Sequence, residues 1–235
     1  MESKIYYLDR QTLNDRSILD EHIYKNLELN YYWSDDFSPE FYIELANAGF
    51  ITVGMKDNGR FLLLPEIQFE YALLDFDDLH ISKKVKKLLK KDDCIFSINK
   101  HFDKTMTCIN SYHEDSWLYD EYIQLLQKLK NFNHPKIDFE LLSVELSDKD
   151  TKELIASEIG YRIGKTYTSL TGFFNRDKKY NNYGKLQLVL LAEFLKQNNF
   201  DFWNLGHPYM QYKFDMGAKN YSRSYFLKKW LKSIN

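Results

Sequence analysis

The chain has 235 residues, 44% of them apolar and 28% charged, with a formal net charge of −2. That is enough chain to bury a sizeable core, while no apolar run approaches the roughly 20 residues needed to span a bilayer. The near-neutral balance excludes wholesale coating of nucleic acid, although it hides an uneven distribution of charge.

Met1-Glu2-Ser3-Lys4 lacks the basic-then-apolar layout of a secretory signal, so a cytoplasmic protein is expected. The two cysteines, Cys94 and Cys108, sit in no metal or redox spacing and read as reduced thiols. Residues 1–35 show no clean period and read as an irregular lead-in. Ser38 is a good N-cap, Pro39 suits a first helical position, and Phe41, Leu45 and Ala48 recur on one face before Gly49 closes the helix. Residues 50–54 and 61–64 read as strands joined through Asn58-Gly59, a strong hairpin signal. A helix is expected over 82–91, a strand end running into a helix over 98–109, and an amphipathic helix over 120–129. Pro135 marks the best linker, at 131–136. Strands follow at 140–146, 154–163 and 166–174, then a helix at 183–197, a strand at 200–205 and a C-terminal helix at 223–231. This succession predicts a mixed sheet flanked by helices.

The helix at 82–91 carries most of the positive charge. Val85, Leu88 and Leu89 share a face with Ile81, and Lys83, Lys84, Lys86, Lys87, Lys90 and Lys91 take the remainder. A solvated helix face is the plain reading. Six like charges with no interleaved Glu repel one another, however, and a docked polyanion would relieve them. Phosphate contacts position a nucleic acid without reading its sequence.

Towards the C-terminus, the run Asp201-Phe202-Trp203-Asn204-Leu205-Gly206-His207-Pro208 is a short apolar strand ending in polar groups and glycine, followed by Met216-Gly217-Ala218. Four earlier segments fall into order with it. Asp36-Phe37-Ser38-Pro39-Glu40 runs to Ala48-Gly49-Phe50; Leu79-His80-Ile81-Ser82-Lys83-Lys84 opens the basic helix. Phe102 to Cys108 and Ser116-Trp117-Leu118 precede Tyr122. Leu142-Ser143-Val144-Glu145-Leu146 and the terminal Gly217-Ala218 with Arg223 to Leu227 complete the set. Together, over roughly residues 36–230, these motifs resemble the bacterial leucyl/phenylalanyl-tRNA–protein transferase family.

The resemblance implies an α+β fold: an acetyltransferase-like (GNAT-type) mixed sheet flanked by helices, with a smaller N-terminal α/β domain. The lead-in and small domain would occupy 1–78 and the transferase domain 79–235. It also implies transfer of an amino acid from charged tRNA to a protein N-terminus, with aminoacyl-tRNA as co-substrate, no separate cofactor, no membrane partner and a monomeric enzyme. Lys83, Lys84, Lys87, Lys90 and Lys91 would contact tRNA. Some family features are replaced. The Trp-Trp-Ser-Pro run that helps hold the aminoacyl-adenosine end is replaced near Leu64-Pro65-Glu66-Ile67, a tryptophan by Val53, and a strand glutamate by Leu170. The Asp-x-Gln pair that steers the attacking amine falls on Asn204 to His207. Gly172-Phe173-Phe174-Asn175 and Met210-Gln211-Tyr212-Lys213 resemble instead the arginyl-tRNA–protein transferases, which places the chain between the two groups.

Aminoacyl-tRNA is already an activated ester, and an α-amine with a pKa of roughly 8 is partly neutral at cellular pH. Such a protein needs mainly to align amine and ester, with an acceptor for the leaving proton. His207 is the candidate acceptor, because an imidazole titrates close to neutrality. Asn204 would orient the amine or bond the oxyanion; both residues could equally serve only to satisfy backbone at a strand end. Trp117, Tyr122, Tyr167 and Phe173 are candidate walls for the amino-acid pocket or the 3′ adenosine, against the alternative that they are core aromatics. Tyr212 and Lys213 are candidates at the tRNA 3′ end, or Lys213 is a surface lysine. Two other functions stay open. An acyl-CoA N-acetyltransferase would want a glycine-rich phosphate loop before the long helix, where Lys178 to Gly184 holds one glycine. An inactive tRNA- or peptide-binding relative would bind without turnover.

Overall fold

The computed structural model describes residues 5–113 and 117–234, so residues 1–4, read for a signal, and Ser116 lie outside the described residues. The lead-in is not irregular. β1 (Tyr6–Tyr7) pairs in parallel with β2 (Tyr32–Trp33). Between them Asp9 caps α1 (Arg10–Asn14) through the Thr12 N–H, and Asp15 caps α2 (Arg16–Ile18), which runs into a π-helical turn over Leu19–Tyr24. Elements this short are set by their caps and carry no helical period to read. Leu8, Leu13, Leu19, Ile23 and Tyr32 all reach the core.

α3 (Pro39–Asn47) begins with the Ser38 hydroxyl accepting from the Phe41 N–H, and Gly49 follows it at φ +87°. β3 (Ile51–Asp57) and β4 (Arg60–Glu66) form the expected hairpin, with Asn58 and Gly59 both at positive φ as its tight turn requires. β5 (Glu70–Leu74) shows no alternation in sequence because Tyr71, Ala72, Leu73 and Leu74 are buried on both faces. α4 (Lys83–Leu88), capped by Ser82, is shorter than expected; Leu89 is 37% exposed, and Lys90 and Lys91 lie in the turn beyond the helix. The chain continues through β6 (Cys94–Ile98), α5 (Phe102–Tyr112), α6 (Asp120–Leu129), β7 (Phe139–Asp148), β8 (Leu154–Ile163), β9 (Thr166–Phe174), α7 (Tyr183–Gln197) and β10 (Phe202–Asn204). It ends with α8 (Gln211–Asp215), β11 (Lys219–Ser222) and α9 (Arg223–Ser233).

Seven strands form one mixed sheet in the order β11-β5-β10-β9-β8-β7-β6. β9 and β10 are parallel, with α7 as the crossover; the other pairs are antiparallel. The fold is therefore α+β, with helices on both faces. One face, carrying Tyr71, Leu141, Ile159, Tyr161 and Phe202, packs on α3, α5, α6 and α9. The other, with Leu74, Val144, Tyr167 and Trp203, packs on α7. β5 precedes residue 79, so the sheet draws one strand from the N-terminal third.

Two features of this fold position the candidate site. The last β9–β10 pair is Thr168 with Asn204. Beyond it β9 stays with β8 as far as Phe174, whereas the Leu205 N–H stays with Ala72 of β5, so the sheet opens between the two strands. Arg223, 1% exposed, staples distant segments together. Its guanidinium donates to the carbonyls of Ile23, Asn26 and Leu29 on one side and Ile67 and Gln68 on the other.

Candidate active site at the opening of the sheet

His207 stands just past β10, where the sheet parts, with its side chain 34% exposed. Its Nε2 lies 2.8 Å from Oε2 of Glu66, at the end of β4. Glu66 is itself held: Asn30 Nδ2 donates to its Oε1 at 2.8 Å, and Gln68 Nε2 approaches Oε2 at 3.4 Å. When Glu66 is ionised it can only accept, so Nε2 carries the imidazole proton and Nδ1 is left as a free acceptor. Gln68 Oε1 is buried and makes no hydrogen bond within the described structure. Tyr31 borders the same carboxylate, and its phenol is raised above its ordinary pKa, first by burial and then by Glu66. Tyr209, 80% exposed, stacks on the imidazole at 4.8 Å between ring centres.

Asn204 is buried beneath this turn. Its Oδ1 accepts from the Gly206 N–H at 3.0 Å, and Nδ2 reaches Thr168 Oγ1 at 3.4 Å. Gly206 takes φ +70°, a conformation that glycine adopts without a Cβ penalty. Asn204 thus shapes the turn that presents His207.

The five candidate aromatics do not form one pocket. Trp117, Tyr122 and Phe173 pack on the α3/α5/α6 side of the sheet, whereas Tyr167 and Tyr212 lie on the α7 side. Tyr122 is fully buried, with its hydroxyl donating to the Thr52 carbonyl at 2.6 Å and lying 3.0 Å from that of Tyr42. Tyr167 is equally buried and donates to Glu158. Both behave as core residues with satisfied hydroxyls. Trp117, Phe173 and Tyr212 remain half-buried. Trp117 meets Tyr122 edge-on at 4.9 Å, and Phe173 sits with Tyr112 and His113, whose ring bonds the Gly172 carbonyl. Two surface hollows, one along α1 and α2 and one of about 110 Å³ between Leu13, Glu44 and Leu231, hold none of these residues.

The roles of Glu66 and Glu158, and the burial of Lys213, escaped the sequence reading. Glu66 pairs with His207 across 141 positions, a contact with no local signal. Glu158, in β8, is a carboxyl group inside an apolar strand run, which was a visible anomaly. It accepts from Tyr167 at 2.9 Å and Ser169 at 2.8 Å, and burial pushes it up to about 7. Lys213 is no surface residue: it is 6% exposed and donates to the carbonyls of Leu205 and His207.

The basic segment is rooted on α7 and beside the end of α8. Val85 and Leu88 pack with Tyr180, Tyr183 and Leu186 at the start of α7. The His80 N–H bonds the Met216 carbonyl at 2.8 Å, directly after α8. Gly217 lies so near Asp78 that a Cβ would fall 2.0 Å from its carbonyl oxygen. Lys83, Lys84, Lys86, Lys87 and Lys90 are exposed and have no ion-pair partner among the described residues, whereas Lys91 approaches Asp93 at 3.8 Å.

Residues 73–231 match the model of the leucyl/phenylalanyl-tRNA protein transferase family, a stretch that contains α4 to β11, most of α9 and every candidate except Glu66 and its supports. The chain belongs to that family. Relatives named leucyl/phenylalanyl-tRNA–protein transferase include those of Colwellia psychrerythraea and Maridesulfovibrio salexigens, each 26% identical over 170 and 159 residues respectively. The matches cover 67% and 66% of this chain but 64% and 61% of the relatives, under two thirds of their length. Among solved structures, L-PGS from Bacillus licheniformis is similar over 75% of this chain and 51% of its own, at 12% identity and a TM-score of 0.40. Of the Glu66–His207 pair, His207 lies inside the matched stretch of this transferase-family chain and Glu66 lies before it.

Proposed function

We propose that the chain transfers an amino acid, Leu- or Phe-like, from charged tRNA to the N-terminal α-amine of a protein or peptide. The observation that carries this reading is the family match over residues 73–231, with an oriented, half-exposed histidine at the opening of the sheet. The neutral amine attacks the ester carbonyl carbon, a C–N bond forms, and the bond to the ribose oxygen breaks. His207 Nδ1 takes the proton that the amine loses and returns it to the departing ribose oxygen; Glu66 holds the ring and stabilises the imidazolium. Asn204 acts through the turn. Trp117 and Phe173 are the available aromatic walls, and Lys83, Lys84, Lys87, Lys90 and Lys91 meet phosphates. The enzyme works as a monomer in the cytoplasm, without a cofactor, and its product is marked for N-degron-directed degradation.

An acyl-CoA-dependent acetyltransferase is disfavoured by the start of α7. That segment holds one glycine, Gly184, and it faces the Phe174 side chain, where a Cβ would lie 3.1 Å away, so the glycine-rich loop expected of such an enzyme is lacking. A screen of all charged tRNAs against peptides differing at the first residue tests the proposal. Transfer of at least one amino acid supports it; tRNA binding without transfer leaves an inactive relative.

The charge-reversed variant Lys83→Glu/Lys84→Glu/Lys87→Glu/Lys90→Glu should bind tRNA more weakly. Each lost phosphate contact should lower the slope of log affinity against log salt by about 0.7–0.9. Filter binding at several salt concentrations reads both, and unchanged affinity removes α4 from the interface.

A further inference from the structure

We propose that Lys213 is a positioning residue for transfer, its ammonium locking the turn that presents His207 at the opening of the sheet. The inference rests on the proposed transfer function for its activity arm and on geometry alone for the rest. Lys213 is buried, with no carboxylate in contact. Its Nζ donates to the Leu205 carbonyl at 2.5 Å and to the His207 carbonyl at 2.7 Å. Burying an unpaired charge is costly, and a surface-pointing rotamer would avoid the cost, so the fold gains something from this ammonium at this turn. What it gains is the path of residues 205–207. Gly206 is at positive φ, Asn204 holds the Gly206 N–H from beneath, and Lys213 holds the two flanking carbonyls from the side. The imidazole of His207 leaves this clamped turn towards Glu66.

The groups facing Lys213 are few. From β8 comes Glu158, whose charge favours the ammonium without touching it; Tyr167 and Ser169 of β9 bond that carboxylate, and Tyr212 lies on the same helix as Lys213. Asp215, at the end of α8, is engaged with Lys185. Burial lowers Lys213 to about 8, with Glu158 opposing that shift. The charge that clamps the turn is therefore present below about pH 8 and lost as pH rises through it. Amine nucleophilicity increases over the same range, so a fall in rate there cannot come from the amine.

The test is the pH profile of kcat, from initial rates of transfer to a model peptide with spontaneous ester hydrolysis subtracted. Wild-type protein should lose rate above about pH 8. Lys213→Arg, which stays charged, should keep its rate to higher pH. Lys213→Met should be slower than wild type by about 10²-fold below pH 8, the scale of a misplaced catalytic group, with the gap closing above it. It should lack the alkaline fall and leave KM for charged tRNA unchanged. Glu158→Gln should move the fall to lower pH. Normal turnover by Lys213→Met, or the same alkaline fall in Lys213→Arg, overturns the inference. In parallel, NMR of protein labelled at the lysine ε-carbon and histidine ring should show Lys213 titrating near 8 and the His207 ring signals moving with it. His207 signals blind to that titration overturn the clamp. If no amino acid is transferred by wild-type protein while the two signals move together, the transfer reading fails and the clamp stands.

Discussion

Replacing His207 with alanine is expected to slow transfer by about 10²–10⁴-fold while charged tRNA binds as before. The ring is half-exposed and touches Glu66 and Tyr209, neither of which belongs to the basic segment, so its loss leaves phosphate contacts intact. Glu66→Gln is the sharper experiment. Glutamine preserves the volume and one hydrogen bond but removes the charge that fixes which imidazole nitrogen is protonated and that stabilises the imidazolium. A kcat loss approaching that of His207→Ala, with KM for tRNA unchanged, assigns the pair as one unit. Because groups acting together are not additive, the double variant should be little worse than either single one. Steady-state kinetics with peptide and charged tRNA varied separately reads all three. Wild-type turnover by His207→Ala removes the histidine from the mechanism.

Arg223→Met should destabilise the fold more than any of the single changes at the site, by about 3–5 kcal/mol, because several buried carbonyls lose their donor at once. For a chain of this size that corresponds to roughly 6–20 °C in Tm. Arg223→Lys should rescue little: an ammonium has three donors on a flexible stem and cannot span carbonyls on both sides of a planar fork. The consequence reaches the site. Arg223 fixes residues 23–29 against Ile67 and Gln68, and the next residue, Asn30, supports Glu66. Partial loosening should therefore lower transfer before global unfolding is seen. Thermal melts of the two variants check the ranking, and a wild-type melting temperature for Arg223→Met contradicts it.

What the sequence disclosed depends on the range of the physics involved. α3, α6, α7 and the β3–β4 hairpin were legible because caps, apolar periods and Asn58-Gly59 act within a few residues. The lead-in was missed because its helices are only a turn or so long and are capped by Asp9 and Asp15. β5 was missed because burial on both faces erases alternation. The mixed sheet came from the order of elements, yet the place of β5 between β10 and β11 could not, since strand neighbours about 130 or more positions apart leave no local trace. The site divides in the same way. His207 was visible from its glycine-flanked strand end. Its partner Glu66 lies in the separate hairpin and is found only by folding the chain. Tyr122 and Tyr167 looked available because aromatic identity says nothing about burial, and Lys213 looked exposed because lysine usually is.

The most direct measurement of the central claim is mass analysis of a peptide incubated with the chain and tRNA charged with leucine or phenylalanine. The account predicts a peptide heavier by one amino-acid residue, located by fragmentation at its N-terminus, and no change in the same peptide with its α-amine acetylated. No added residue from any charged tRNA, or addition to the acetylated peptide at a side chain, would contradict it.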